Sequence, residues 1–253
     1  MIIRHCYSGI ISPIGKYTRL GIRKNSNGSL VLCPLYRIFA AMNNEMTTEK
    51  WCENVIIADG DYIDKVAFHL IVNFERMIGR RIPQADMARW IDCVALDGGL
   101  KPLEQTADSQ TGTPARQISV VFIHDKKSAK LENFLPGHYA DELHLKAFSD
   151  ALGEFMMSAF PVEESVVSKR DFFTDVTRTI CNLQEVKRVM IIPNAETMYE
   201  DVRQALKDVD DEKRITVFAM QPMPGGNFRQ EILGFSLMAA LGIKSEEFKN
   251  KKK

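Results

Sequence analysis

From residue 54 onward the chain alternates short, nearly unbroken apolar runs with longer segments whose apolar positions recur every three or four residues. The runs VIIA (55–58), QISVVFIHD (117–125), GEFMMSAF (153–160), KRVMIIP (187–193) and RITVFAM (214–220) predict five strands. Unbroken apolar runs bounded by polar residues fit parallel strands covered on both faces, GEFMMSAF being the least buried of the five. Val66, Ala67, Leu70, Ile71, Phe74, Met77 and Ile78 repeat at helical spacing until Gly79 stops them. A second helix is expected to open at Pro83 and to carry Met87, Trp90, Ile91 and Val94 on one face as far as DGG (97–99). Further helices are expected at 138–151, SKRDFFTDVTRTICNL (168–183), NAETMYEDVRQALKDV (194–209) and FRQEILGFSLMAALGI (228–243). In the second of these Ser168 is the N-cap, and Asp171 follows at capping-box spacing with Asp in place of Glu. GLKPLEQTADSQTGTPAR (99–116) is polar and aperiodic, which predicts a mobile surface loop. This alternation predicts an α/β fold: a single three-layer αβα domain with a mostly parallel five-stranded sheet.

Composition refines the boundaries. A chain of 253 residues, 45% hydrophobic and 26% charged, can bury a sizeable core. No run of roughly 18 apolar residues is present, so no membrane-spanning helix is expected. The formal net charge is zero, but residues 1–44 hold six basic residues and no acid, leaving 27 basic and 33 acidic residues beyond them. Residues 1–45 therefore read as a basic leader outside the fold, either a targeting segment or a disordered stretch ahead of a true start at Met42 or Met46. The domain is placed at 46–248, and 249–253 as a Lys-rich solvated tail. Five scattered cysteines without a CxxC pair argue against disulfides and structural zinc and for a reducing, cytoplasmic setting.

Candidate chemistry gathers where strands end, because ligands of open α/β sheets bind beyond the strand carboxyl ends. Asp59 and Asp61 follow the first strand, His124 and Asp125 the second, Asn194 and Glu196 the fourth; Asp171 and Asp175 open the helix before the fourth. Carboxylates gathered at one rim repel unless a proton or cation separates them. Mg²⁺ or Mn²⁺ would meet that need, and a pair of such ions could drive phosphodiester hydrolysis.

The stretch ADGDYID (58–64) after an apolar strand resembles the opening of NYN domains, a branch of the PIN-like ribonuclease superfamily. KRDFFTDVTRTI resembles their Lys-x-x-Asp helix start, and MIIPNAETMYEDVRQALKDVDDEKRITVFA their late strand–helix–strand unit. The resemblance implies a PIN-like, Rossmann-type fold with the first strand beside the fourth, and a metal-dependent ribonuclease acting on single-stranded RNA. It places catalysis on Asp59, Asp175 and Glu196 and Mg²⁺ or Mn²⁺ on Asp59, Asp61, Asp171, Asp175 and Glu196; by their own chemistry Lys126, Lys127 and Asn194 are candidate phosphate contacts. Two motif positions depart from the pattern: Ala195 stands for Gly and Met198 for the second Asp. That departure opens a second reading, a catalytically inactive PIN-like binding or interaction module. A looser resemblance is to an uncharacterised bacterial family that carries no activity with it. A rival resemblance uses Asp59 and Asp61 as the Asp-x-Asp pair of a haloacid-dehalogenase-type phosphatase, although no Ser or Thr directly ends the second strand.

Each residue also has a plainer role. Asp64 reads as a first-turn helix acid, Asp61 as either ligand or helix-dipole partner, Asp171 as the capping-box acid, and Glu196 as ligand or first-turn acid. His124 reads as a structural histidine or a general base. Oligomeric state is not legible.

Overall fold

The computed structural model describes residues 22–24, 30–32, 51–103, 116–244 and 246–247. The chain divides into two units, Met1–Glu49 and Lys50–Lys253. In the first, β1 (Ile22–Lys24) and β2 (Leu30–Leu32) pair antiparallel, so the leader holds a strand pair that its aperiodic sequence does not announce. The rest of the leader, the predicted loop over 104–115 and the tail 249–253 lie outside the described residues.

The second unit is α/β. Its elements run β3 (Asn54–Asp59), α1 (Gly60–Ile78), β4 (Ala85–Asp86), α2 (Met87–Asp97), β5 (Gln117–Asp125), β6 (Phe134–Leu135), a π-helical turn (Tyr139–Leu143), β7 (Lys146–Asp150), β8 (Gly153–Val162), α3 (Lys169–Cys181), β9 (Arg188–Ile192), α4 (Tyr199–Ala205), β10 (Arg214–Ala219), β11 (Arg229–Ile232) and α5 (Leu233–Ala240). The main sheet is mixed and mostly parallel, in the order β11-β10-β9-β3-β5-β8-β7, with only β7 antiparallel to its neighbour. The first long strand, β3, lies between β5 and β9, so the chain direction across the sheet reverses there.

All five expected strands form, but the sheet has seven. The additional strands, β11 and β7, are its two edges. An edge strand has one neighbour and a wetter surface, so RQEI and KAFSD lack the apolar run that marks the inner strands. For the same reason the expected helix over 138–151 is instead the π-helical turn and β7, and the segment FRQEI is not helical. The second helix starts at Met87 rather than Pro83, because Asp86 caps it by accepting from Arg89 N at 3.0 Å while Ala85 and Asp86 pair with β6. The helix expected over 194–209 is confined to Tyr199–Ala205.

Strand alternation divides the core. Ile56 and Ala58 of β3 join the cluster built with Ile63, Val66, Trp90, Ile91, Leu233 and Leu237 from α1, α2 and α5. Val55 and Ile57, which point the opposite way, are also fully buried. On α3, Phe172, Phe173, Val176 and Ile180 are buried, and α3 packs on β5 and α4. Every apolar side chain of β3 is thus withdrawn from water, worth roughly 1.5–3 kcal/mol for each large one.

One contact tying α2 to the sheet edge is sensitive to pH. Burial, then the hydrogen bond and charge of Asp150 at the end of β7, push the Asp92 carboxyl up to about 7. A carboxyl raised in the folded state stabilises fully below its unfolded value and loses that contribution as pH rises through its folded value. Thermal stability is therefore expected to fall between about pH 4 and pH 7, and Asp92→Asn to flatten that fall. Equal slopes for the two proteins in a pH series of melting curves would contradict the contact.

Candidate functional site

The site begins at a junction that the sequence dictates. β3 is apolar up to Asp59, and α1 follows with no intervening loop. Asp59 ends the strand and caps the helix, its Oδ1 accepting from Tyr62 N at 3.0 Å. Its carboxyl group is fully buried. Lys169, the first residue of α3, reaches across from the far side of the crevice. Its Nζ donates to Asp59 Oδ1 at 2.9 Å and to Asp61 Oδ2 at 2.6 Å. Asp125 N at the end of β5 also donates to Asp61 Oδ2, at 2.7 Å. The Lys169 side chain is only 13% exposed, so one buried ammonium serves two carboxylates.

The electrostatics of the pair are unequal. Burial pushes the Asp59 carboxyl above its ordinary value, outweighing the attraction and hydrogen bond of Lys169. Burial acts on Asp61 as well, but hydrogen bonds from Lys169 and Ser128 together with the ammonium charge hold it below its ordinary value. Lys169 loses solvation, yet the two carboxylates hold its pKa above the usual lysine value. Asp61 is therefore the firmly ionised member, and Asp59 takes the first proton on acidification.

Around this clip the packing is close. Tyr139 lies flat on His124, ring centroids 3.7 Å apart and planes 7° from parallel. Burial holds His124 below its ordinary value. The Tyr139 ring abuts Gly60, where a Cβ would come within 2.2 Å of the hydroxyl, so Gly60 is required by close approach. Asp59 Oδ2 and the Tyr139 hydroxyl are both buried and, among the described residues, have no hydrogen-bond partner. Beside them opens a cleft of about 410 Å³ lined by Asp61, Asp64, Lys127, Ser128, His138 and Tyr139 among others.

The other expected site residues go elsewhere. Asp171 is in the first turn of α3, where its N–H donates to Ser168 Oγ at 3.4 Å. Asp175 pairs with Arg178 at 2.7 Å on the outer side of α3. Glu196 pairs with Lys65 at 2.6 Å and is mostly exposed; Tyr62, between it and Asp59, is pushed up to about 12 by burial and by both carboxylates. Asn194 Oδ1 accepts from Glu196 N at 3.1 Å, closing a turn. Lys126 pairs with Glu163 at 2.8 Å, whereas Lys127 lines the cleft. Asp64 accepts from Asn133 N at 2.8 Å and so anchors the loop before β6.

A family model described as a family of unknown function (DUF6621) matches residues 48–248, most of the chain. The chain belongs to that family. Comparisons with curated proteins and with solved structures return no match. The DUF6621 domain thus brings its own site without a borrowed assignment.

A divalent metal fits this arrangement poorly. The Asp59 and Asp61 oxygens that face each other are taken by Lys169, and among the described residues no three His, Cys, Asp or Glu side chains gather as a metal-holding group. Lys169 occupies the position of a counter-ion between the carboxylates. Reading acids alone missed it, along with Tyr139 and Gly60. A signal was present: a lysine in the first turn of a helix faces the positive end of the helix dipole, and that placement calls for a carboxylate partner.

Proposed function

We propose that this DUF6621 domain is a divergent PIN-like, NYN-type module that binds single-stranded RNA without cleaving it. The observation that carries the reading is the Lys169 bridge, which supplies the cation that Asp59 and Asp61 need. A further position agrees with it: the late motif holds buried Met198 in place of its second Asp. The residues that would complete a nuclease centre, Asp175 and Glu196, are engaged by Arg178 and Lys65 on more exposed surface. The order β10-β9-β3-β5-β8 and the apolar burial of both β3 faces support a three-layer PIN-like fold.

The test is fluorescence anisotropy with a labelled single-stranded RNA, run in EDTA and in Mn²⁺, with the same mixtures then resolved on a denaturing gel. Equal binding in both buffers and an intact RNA are expected. Mn²⁺-dependent cleavage that disappears in Asp59→Asn would restore the nuclease reading. Hydrolysis of a phosphate monoester lost in the same variant would restore the phosphatase reading, and absence of RNA binding removes RNA as the ligand.

A further inference from the structure

At the opposite, amino-terminal rim of the sheet, three strands begin with arginines on one face and a fourth is preceded by one. Arg188 opens β9 and Arg214 opens β10, and they are register partners. Arg229 opens β11 and pairs with Thr216, two residues along β10 from Arg214 and so on its face. Arg116 immediately precedes β5 and shares the parity of Ile118, Val120 and Phe122. All four lie on the face covered by α2. Gly99, at φ 86° after α2, makes the convergence concrete: a Cβ there would stand 2.7 Å from Arg188 Nη1 and 4.0 Å from Arg229 Nη1.

Part of this charge has structural work. Arg188 donates to the Gly98 carbonyl at the end of α2, which carries a negative half-charge of about 0.5. Arg116 donates to the Lys101 and Leu152 carbonyls at 2.7 and 3.2 Å. Arg229 pairs with Glu231, and Asp97 feels both. Asp97 and Glu231 thus answer the charge of Arg229. Among the described residues Arg214 makes no ion pair, and it is exposed. Burial, then the charges of Arg214, Arg116 and Arg229, hold Arg188 below the usual guanidinium value.

We infer that this arginine rim binds an extended phosphate-bearing chain. From β11 to β5 the rim crosses four inter-strand steps, about 19 Å, which is wider than one phosphate and suits a run of them. Guanidinium forks match phosphate oxygens in pairs, which lysines do not. The chemistry is shared by an RNA backbone and by inorganic polyphosphate. The surface does not depend on the acid rim, which lies at the other end of the same strands.

The experiment uses the full chain and the exposed pair, Arg214→Gln/Arg229→Gln, whose melting temperature should match the wild type. Anisotropy with labelled oligouridylate and competition with inorganic polyphosphate are each followed across a salt series. The double variant is expected to bind about tenfold more weakly, with the salt slope reduced by about 1.4 for two lost contacts to a single strand. Unchanged affinity and slope in the variant overturn the inference while leaving RNA binding elsewhere intact. Failure of the wild type to bind either probe overturns it as well. Polyphosphate binding that is lost in the variant, with no RNA binding, supports this surface and refutes RNA as the module's ligand.

Discussion

Replacing Lys169 with methionine is expected to lower the melting temperature by about 10 °C at neutral pH. The substitution keeps the apolar stem and removes the charge, leaving Asp59, fully buried, and Asp61 without their common ammonium. Removing one partner of a buried pair typically costs about 3–5 kcal/mol, and a domain of this size loses roughly 2–4 °C per kcal/mol. The sign of the pH dependence follows from Asp59, whose carboxyl is already above its ordinary value through burial. Without the ammonium its folded value rises further. A group raised in this way stabilises below its unfolded value and loses that contribution as pH rises through its folded value. The deficit of Lys169→Met should therefore be smallest in acid and grow toward neutral pH. Asp59→Asn in the same chain should recover part of the loss, since asparagine still caps α1 and the only charge then left without the ammonium is the partly exposed Asp61. Melting curves across pH for the single and double variants decide it; a single variant that melts like the wild type at every pH would show that the bridge is not an energetic unit.

The second large effect is a reversal of sign at Gly60. In an isolated helix, alanine in place of glycine stabilises by up to about 1 kcal/mol. Here the added Cβ meets the Tyr139 hydroxyl at 2.2 Å, and Tyr139 is held by its stack on His124 and by nearly complete burial. Gly60→Ala is therefore expected to destabilise by about 1–3 kcal/mol. Tyr139→Phe alone should be near neutral, because it deletes a buried hydroxyl without a partner among the described residues. In that background the nearest ring atom would be 3.0 Å from the new methyl, and the alanine should become much less harmful. Urea unfolding of the four proteins closes the cycle. Additive effects of the two substitutions would mean that Gly60 is not kept for this contact.

Both expectations concern a site whose parts were unequally visible in the chain. Asp59 and Asp61 stand out because an apolar strand ends on them, and the strand's buried length is a local property. The helix caps at Asp59, Asp86 and Ser168 are equally local, each set by a side chain and an N–H three residues away. The expected metal-ligand set rests on acids at strand and helix ends. Loop ends are acidic for several reasons, and Asp175 and Glu196 prove to answer Arg178 and Lys65 instead.

Periodicity by itself determined the five inner strands, the faces of α1 and α2, and the α/β class, because burial on a strand or helix imposes a repeat that the chain must carry. The edge strands β7 and β11 escaped it, since a half-solvated strand imposes almost none. Only the tertiary structure decided what the acids face. Lys169 is 110 residues from Asp59 and 108 from Asp61. No local pattern links positions so far apart; their meeting depends on β3 lying between β5 and β9, with α3 returning its first turn to the same crevice. The same holds for the four arginines, which are scattered in sequence and become one surface only through strand register.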